Sequence, residues 1–490
     1  MSLFDLPVNI AGTIFAFCWF LSGFWAAGSF AKQKNSRMPA NLKVCILLFA
    51  PVLGIAGAAL FLLFQNSKKI TEIFKQKNKK DVEKKQDLII LDEHGHDMLQ
   101  KNGGLDGAYI VKDLIWDALE AETSDIFIDP KNDSYLVRLR VDGFIRIHST
   151  LPEREALPVI SMFKVFSGMD IAEKRRPQDG SFNAIYKGEG ISFRVATVGV
   201  YGGEKITIRV IASESGNRKL QDIGLSASQY KSVSTALKLP SGMILLCGPT
   251  GSGKTSSMYA MISSIDYSQK NVISIEDPVE RVVPNISQVE VNTKAGITFA
   301  AVLRNSLRQN PDVICLGEIR DEETAMIAAQ AAQTGHLIIA TLHSNDNIGT
   351  IVRLTDLGVP LRNIAAALQM SISQRLIRRL CPHCKKNAEL NEEQKAYCRQ
   401  YNIPFDAIKA PGSCPRCGGT GYAGRVAVFE NLVMDEDLRR VLEKQGCTIA
   451  DVKDHVDAHL GTDSLGSRIM SLVIKGETSW EEFERATINL

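Results

Sequence analysis

Eight residues constrain this chain more than any others: Gly248, Pro249, Thr250, Gly251, Ser252, Gly253, Lys254 and Thr255 spell GPTGSGKT, a complete GxxxxGK[ST] loop. An apolar run at 243–247 precedes it and a helix-compatible stretch at 254–265 follows, so strand, glycine loop and helix start come in the order a nucleoside triphosphate site requires. Glycines let the backbone wrap around phosphate oxygens, with successive N–H groups and the helix N-terminus aimed at the anion. Lys254 then neutralises the outer phosphates, and the Thr255 hydroxyl is the expected ligand of Mg2+.

Strand-like runs at 243–247, 272–275, 313–316 and 337–341 alternate with helical stretches, which predicts a mainly parallel sheet flanked by helices. Ligands of such sheets collect beyond the carboxyl ends of the strands. Glu276-Asp277, Glu318 and His343 all follow strand ends and therefore face the same crevice as the loop. Glu276 is the candidate for orienting or deprotonating an attacking water, and Glu318 for holding the metal or its waters. His343, in TLHSN, is a candidate nucleotide-sensing residue, whereas His336 begins its strand and belongs at the far end. Upstream, 108–238 reads as a smaller α/β domain. It has helical spacing at 110–121, strands at 125–128 and 135–141, a turn at Val141-Asp142-Gly143, and a hairpin of 192–200 with 205–211 closed by Gly202-Gly203.

The N-terminal part departs from this pattern. Residues 10–31 and 44–64 contain no charge, and each is long enough to cross a hydrocarbon core as a helix. Lys68, Lys69, Lys75, Lys77, Lys79, Lys80, Lys84 and Lys85 follow the second run and outweigh Lys32, Lys34 and Arg37 in the connector. The expectation is a membrane hairpin with both ends in the cytoplasm. Residues 65–107 read as a basic linker. The formal net charge of +2 gives no strongly basic surface, so no nucleic-acid partner is expected.

Cys381 and Cys384, then Cys414 and Cys417, form two CxxC pairs with 29 residues between them. Four thiolates so paired predict a closed tetrahedral Zn2+ site of structural type, and a cytoplasmic compartment disfavours disulfides.

The chain resembles the assembly ATPases of type II secretion and type IV pili. The matching blocks are TSDIFIDP at 123–130, VRLRVDG at 137–143, RRPQDG at 175–180, the phosphate loop, ISIEDPVE at 273–280, RNSLRQNPDVICLGEIRD at 304–321 and TGHLIIATLHSND at 334–346. The resemblance implies a hexameric ring of RecA-like P-loop motors, each preceded by a PAS-like α/β domain, that hydrolyses ATP with Mg2+ for an inner-membrane platform protein. It makes Glu276 the catalytic carboxylate and places Glu318 in the Walker B position. Arg194 and Arg209 match arginines that approach the phosphates from the smaller domain, and Arg304 and Arg308 match a second pair. It also implies a bacterial inner-membrane location with the motor facing the cytoplasm. The expected division is 1–64 membrane hairpin, 65–107 linker, 108–238 N-terminal domain, 239–380 motor, 381–425 zinc module and 426–490 helical region. A conjugation-type pilus ATPase, a membrane-tethered DNA translocase and a catalytically dead scaffold are the alternatives. The near-neutral charge and the EDPVE and cysteine blocks speak against the second, and intact Lys254, Thr255, Glu276 and Glu318 against the third.

Overall fold

The computed structural model describes residues 87–91, 97–98, 107–212, 219–460 and 464–488. The hydrophobic runs at 10–31 and 44–64 and most of the linker lie outside these residues. Among the described residues no helix is long and apolar enough to cross a membrane. The chain divides into one unit at Met1–Ile89 and another at Ile90–Leu490, and the second holds two α/β domains.

The first of these domains is an antiparallel sheet covered by two helices. Helix α1 (Ala108–Glu120) leads into β1 (Thr123–Pro130), β2 (Ser134–Val141) and β3 (Phe144–Pro152); α2 (Glu153–Phe166) leads into β4 (Gln178–Tyr186), β5 (Glu189–Val200) and β6 (Gly203–Ala212). Within this unit the strands lie in the order β4-β5-β6-β1-β2-β3. Strand β2 shows the cause plainly: Tyr135, Val137, Leu139 and Val141 alternate with outward residues, so one face is buried and the other solvated. Phe163 and Phe166 of α2 meet Phe182 of β4, whose ring stacks on Phe193 of β5 at 4.6 Å. Strands β3 and β4 and helix α2 complete a domain of which α1, β1, β2 and the hairpin β5–β6 are legible in sequence; α2 buries Ala156, Val159, Ile160, Phe163 and Phe166 on one face.

The second domain is built on a seven-stranded sheet. In chain order its elements are α3 (Ala227–Ala236), β7 (Gly242–Cys247), α4 (Lys254–Ile262), β8 (Val272–Glu276), β9 (Ser287–Glu290), α5 (Phe299–Ser306), β10 (Val313–Leu316), α6 (Glu322–Gln333), β11 (Leu337–Leu342), α7 (Asn347–Asp356), α8 (Leu361–Ala367) and β12 (Leu368–Leu380). After them come β13 (Lys386–Asn387), α9 (Glu392–Gln400), β14 (Lys409–Ala410), β15 (Tyr422–Val433), α10 (Glu436–Glu443), α11 (Ile449–Leu460), α12 (Leu465–Ile474) and α13 (Trp480–Thr487). The sheet order is β9-β8-β10-β11-β7-β12-β15, parallel except for β15. Strands β7, β8, β10 and β11 are buried along their whole length, as expected for parallel strands covered on both faces.

The expected boundary at 425/426 falls inside β15. The cysteine loops therefore sit between two adjacent strands, β12 and β15, and the C-terminal region opens on a strand before its helices begin. Strand β15 pairs antiparallel with the long strand β12 and forms the edge of the sheet, and the helices of the C-terminal region begin after Val433.

The turn between β2 and β3 docks where β12 and β15 end. Asp142 Oδ2 accepts from the Gly424 N–H at 3.1 Å, and Arg146 lies 3.5 Å from the Cys417 carbonyl. The Arg378 guanidinium is sandwiched 3.7 Å from the centre of the Phe144 ring and 3.8 Å from that of Tyr422. It donates through Nε and Nη2 to Glu482 at 2.8 and 2.5 Å, and Arg485 donates to the other carboxylate oxygen at 2.7 Å. Burial opposes the charge on Glu482, whose side chain is 0% exposed, yet the two arginines outweigh it and hold the carboxyl below its usual range. A carboxylate depressed in this way stabilises the fold above its unfolded value, and that contribution is lost as pH falls through the lower folded value. Glu482→Ala leaves the largely covered Arg378 without its counter-charge and is expected to destabilise the chain by about 3 kcal/mol at neutral pH, measured by urea unfolding. The difference from wild type should shrink in acid.

Candidate active site

Strand β7 ends at the fully buried Cys247 and the chain turns at Gly248, whose φ is +143°. A Cβ there would come within 2.5 Å of the Gln374 carbonyl oxygen on β12, so only glycine lets the loop lie against the neighbouring strand. Helix α4 begins at Lys254. Its ammonium donates to the carbonyls of Gly248 at 2.6 Å and Pro249 at 3.2 Å. Burial pulls Lys254 below its usual value, while Cys247 and Glu318 work in the opposite direction. A partly desolvated cation whose hydrogen-bond acceptors are neutral carbonyls is a strong attractor for phosphate oxygens.

A cleft of about 460 Å³ opens over this loop. It brings Thr250, Gly251, Ser252, Gly253, Lys254 and Thr255 together with Glu276, Glu318 and His343, the residues expected from the strand ends. Hard oxygen donors, the Thr255 hydroxyl and the Glu318 carboxylate, suit Mg2+.

Glu276 is the last residue of β8 and is 2% exposed. Tyr259 Oη donates to its Oε2 and Ser274 Oγ to its Oε1, and Gln288 Nε2 donates to Oε1 at 3.0 Å. Glu318 faces a different set of partners. Arg320 donates to it through Nη2 and to Asp277 through Nη1 at 3.2 Å, and His343 Nε2 lies 3.3 Å from the second Glu318 oxygen. His336 turns its ring to the Ala331 carbonyl at the opposite end of β11, in keeping with its position in sequence.

The four arginines separate. Arg209 reaches the cleft from β6 of the first domain and is held by Asp125 of β1 at 3.2 Å. Arg194 stands opposite it in register on β5 and lines the adjoining groove. Arg304 on α5 pairs with Glu323 of α6, and Arg308 lies on the turn Leu307–Gln309; neither lines the cleft. Tyr259, Ser274, Gln288, Arg320 and Arg425 join the site without a clear sequence signal. Tyr259 carries the pattern of a core residue and Gln288 lies twelve residues beyond the carboxylate it serves, whereas Ser274, two positions before Glu276, and Arg320, two after Glu318, offer a local clue.

Cys381, Cys384, Cys414 and Cys417 place their sulfurs within 4.8 Å of one another. The separations are 3.8 Å for Cys381–Cys414, 3.7 Å for Cys384–Cys417 and 3.6 Å for Cys414–Cys417. An ideal tetrahedron of thiolates around Zn2+ has an edge of roughly 3.8 Å, so the cluster fits that ion and is far too open for disulfides. The Gly421 N–H donates to Cys417 Sγ at 3.2 Å. Burial works against ionisation of this thiol, but that bond and the neighbouring cysteines prevail and bring it down to about 6. Gly421 has a φ of +76°, and a Cβ there would meet Pro411 Cβ at 2.5 Å.

Residues 106–485 match the family model described as Type II/IV secretion system protein. The type II secretion system protein HxcR of Pseudomonas aeruginosa is 38% identical over 80% of this chain and 79% of its own length. The type IV pilus assembly ATPase PilB of Thermus thermophilus is 40% identical over 77% of this chain, which spans 42% of that longer relative. Among solved structures, the pilus retraction motor PilT with bound ADP aligns with a TM-score of 0.52 at 25% identity, over 76% of this chain and 96% of its own. The phosphate loop, the strand-end carboxylates and these relatives agree: the chain belongs to the Type II/IV secretion system protein family and is an ATPase.

Proposed function

We propose that this ATPase powers assembly of a type IV pilus or a type II secretion pseudopilus, with Glu276 as the hydrolytic carboxylate. The observation that carries the reading is the convergence of Lys254, Thr255, Glu276 and Glu318 on one cleft, with Arg209 entering it from the preceding domain. Lys254 and the loop amides bind the β- and γ-phosphates. Thr255 and Glu318 would hold Mg2+, which neutralises developing charge on the transferring phosphoryl group. Glu276 accepts hydrogen-bond donation from the attacking water and orients it. His343, beside Glu318, senses the outer phosphate.

Arg304 and Arg308 do not line the cleft of their own chain and are assigned to the site of a neighbouring copy in a ring, in line with the hexamer that the family resemblance implies. The runs at 10–31 and 44–64 would tether the motor to the inner membrane, facing the cytoplasm beside a platform protein. The four thiolates hold a structural Zn2+ that fixes the loops between β12 and β15.

Glu276→Gln is expected to retain ATP affinity while turnover falls roughly a hundredfold, whereas Lys254→Ala loses affinity itself. Steady-state hydrolysis and binding of a fluorescent ATP analogue separate the two, and near-normal turnover by Glu276→Gln refutes the assignment. Hydrolysis per chain should rise with protein concentration alongside ring formation; a monodisperse monomer with constant specific activity contradicts the trans arginines. Wild-type protein should carry about one Zn2+ per chain by elemental analysis, and Cys384→Ser with Cys414→Ser should lose it.

A further inference from the structure

Tyr259 lies on the same helix as Lys254, is 5% exposed, and donates its hydroxyl proton to Glu276 while accepting the Arg281 N–H at 3.1 Å. Gln288, on β9, makes a parallel pair of links. Its Nε2 donates both to Glu276 and to the Arg281 carbonyl at 2.9 Å, and its Oε1 accepts from the Val283 N–H at 2.7 Å. Both side chains therefore tie the carboxylate to the loop that leaves β8. An ionised carboxylate has about four acceptor positions, and Tyr259, Ser274 and Gln288 occupy three of them. One position remains for a water.

We propose that Tyr259 is a positioning residue for hydrolysis: from the phosphate-binding helix its hydroxyl holds the Glu276 carboxylate turned toward the attacking water. This rests on Glu276 being the hydrolytic carboxylate. Burial pushes the Tyr259 phenol up, and the bond to Glu276 adds to the shift, so the phenol keeps its proton and stays a donor. A buried carboxylate deprived of donors takes up a proton more readily and rotates more freely. The loop also carries Glu280, whose carboxyl is raised by desolvation and drawn back by Arg194 and Arg209, so the anchored loop faces the arginines of the first domain.

The test is the kcat–pH profile of the full chain carrying Tyr259→Phe, which keeps the ring and deletes the donor. The titratable and charged groups around Glu276 are Tyr259, Cys315, Asp277 and Glu280, with Lys254, Glu318, His343, Arg209 and Arg425 lining the same cleft. None but the phenol changes in this variant. The expected result is a fall in kcat of about tenfold with KM and ATP-analogue affinity unchanged, and an acidic limb moved to higher pH because the ionised form has lost a hydrogen bond. Gln288→Met, which also removes a donor to Glu276, should move the limb in the same direction. Wild-type kcat and superimposable profiles for both variants, beside an inactive Glu276→Gln, overturn the positioning role alone. An active Glu276→Gln overturns the reading beneath it.

Discussion

A carboxylate at the end of a strand buried on both faces is costly unless the surrounding chain supplies donors for it, and Glu276 meets that condition. Three separate segments contribute: Tyr259 from the helix of the phosphate loop, Ser274 from the same strand and Gln288 from the sheet edge. These contacts link α4, β8 and β9, so the Glu276 carboxylate and the helix of the phosphate loop are held in one network. Burial of this kind strengthens every electrostatic interaction in the cleft, because less water screens it.

The same dependence of charge on its neighbours joins the two domains. Arg378 is held by Glu482 below and by two aromatic rings at its faces, one from the first domain and one from the segment after the second cysteine pair. Asp142 and Arg146 extend the contact onto the backbone around Cys417 and Gly424. The β2–β3 turn therefore rests on backbone immediately beside the cysteine cluster. Arg209 belongs to the domain that this turn anchors, so the cluster and the nucleotide cleft are linked through rigid β-structure.

Legibility follows the strength of the local physics. The glycine loop, the fully apolar strands and the CxxC pairs each satisfy a demand that only a few residue types meet, and their places in sequence translate directly into places in space. Glu276, Glu318 and His343 are readable because the carboxyl ends of parallel strands converge. Gln288 and Tyr259 are not, since their importance lies in contacts made across 12 and 17 residues, and neither type is unusual where it stands. Strand β15 is hidden for a similar reason: its partner β12 is separated from it by the whole cysteine insert. The arginines show the limit most clearly, as Arg209 and Arg304 look alike in sequence yet only the first lines this chain's cleft.

Charge pairing in the cleft explains how nucleotide binding can reorganise it at little cost. Lys254 rests on two carbonyls, Arg209 on Asp125, and Glu318 on Arg320 and His343. Phosphate oxygens are better acceptors for Lys254 than carbonyls are, because the bond becomes charge-assisted on both sides. A divalent cation held by Glu318 would compete with Arg320 for that carboxylate, and the guanidinium is already bonded to Asp277 as well. At Lys254 and at Glu318 a new partner would thus replace an existing one, and neither charge would be left alone. Arg320 bridges Glu318, which follows β10, to Asp277, which directly follows Glu276 at the end of β8, so one guanidinium joins the two strand ends that line the cleft.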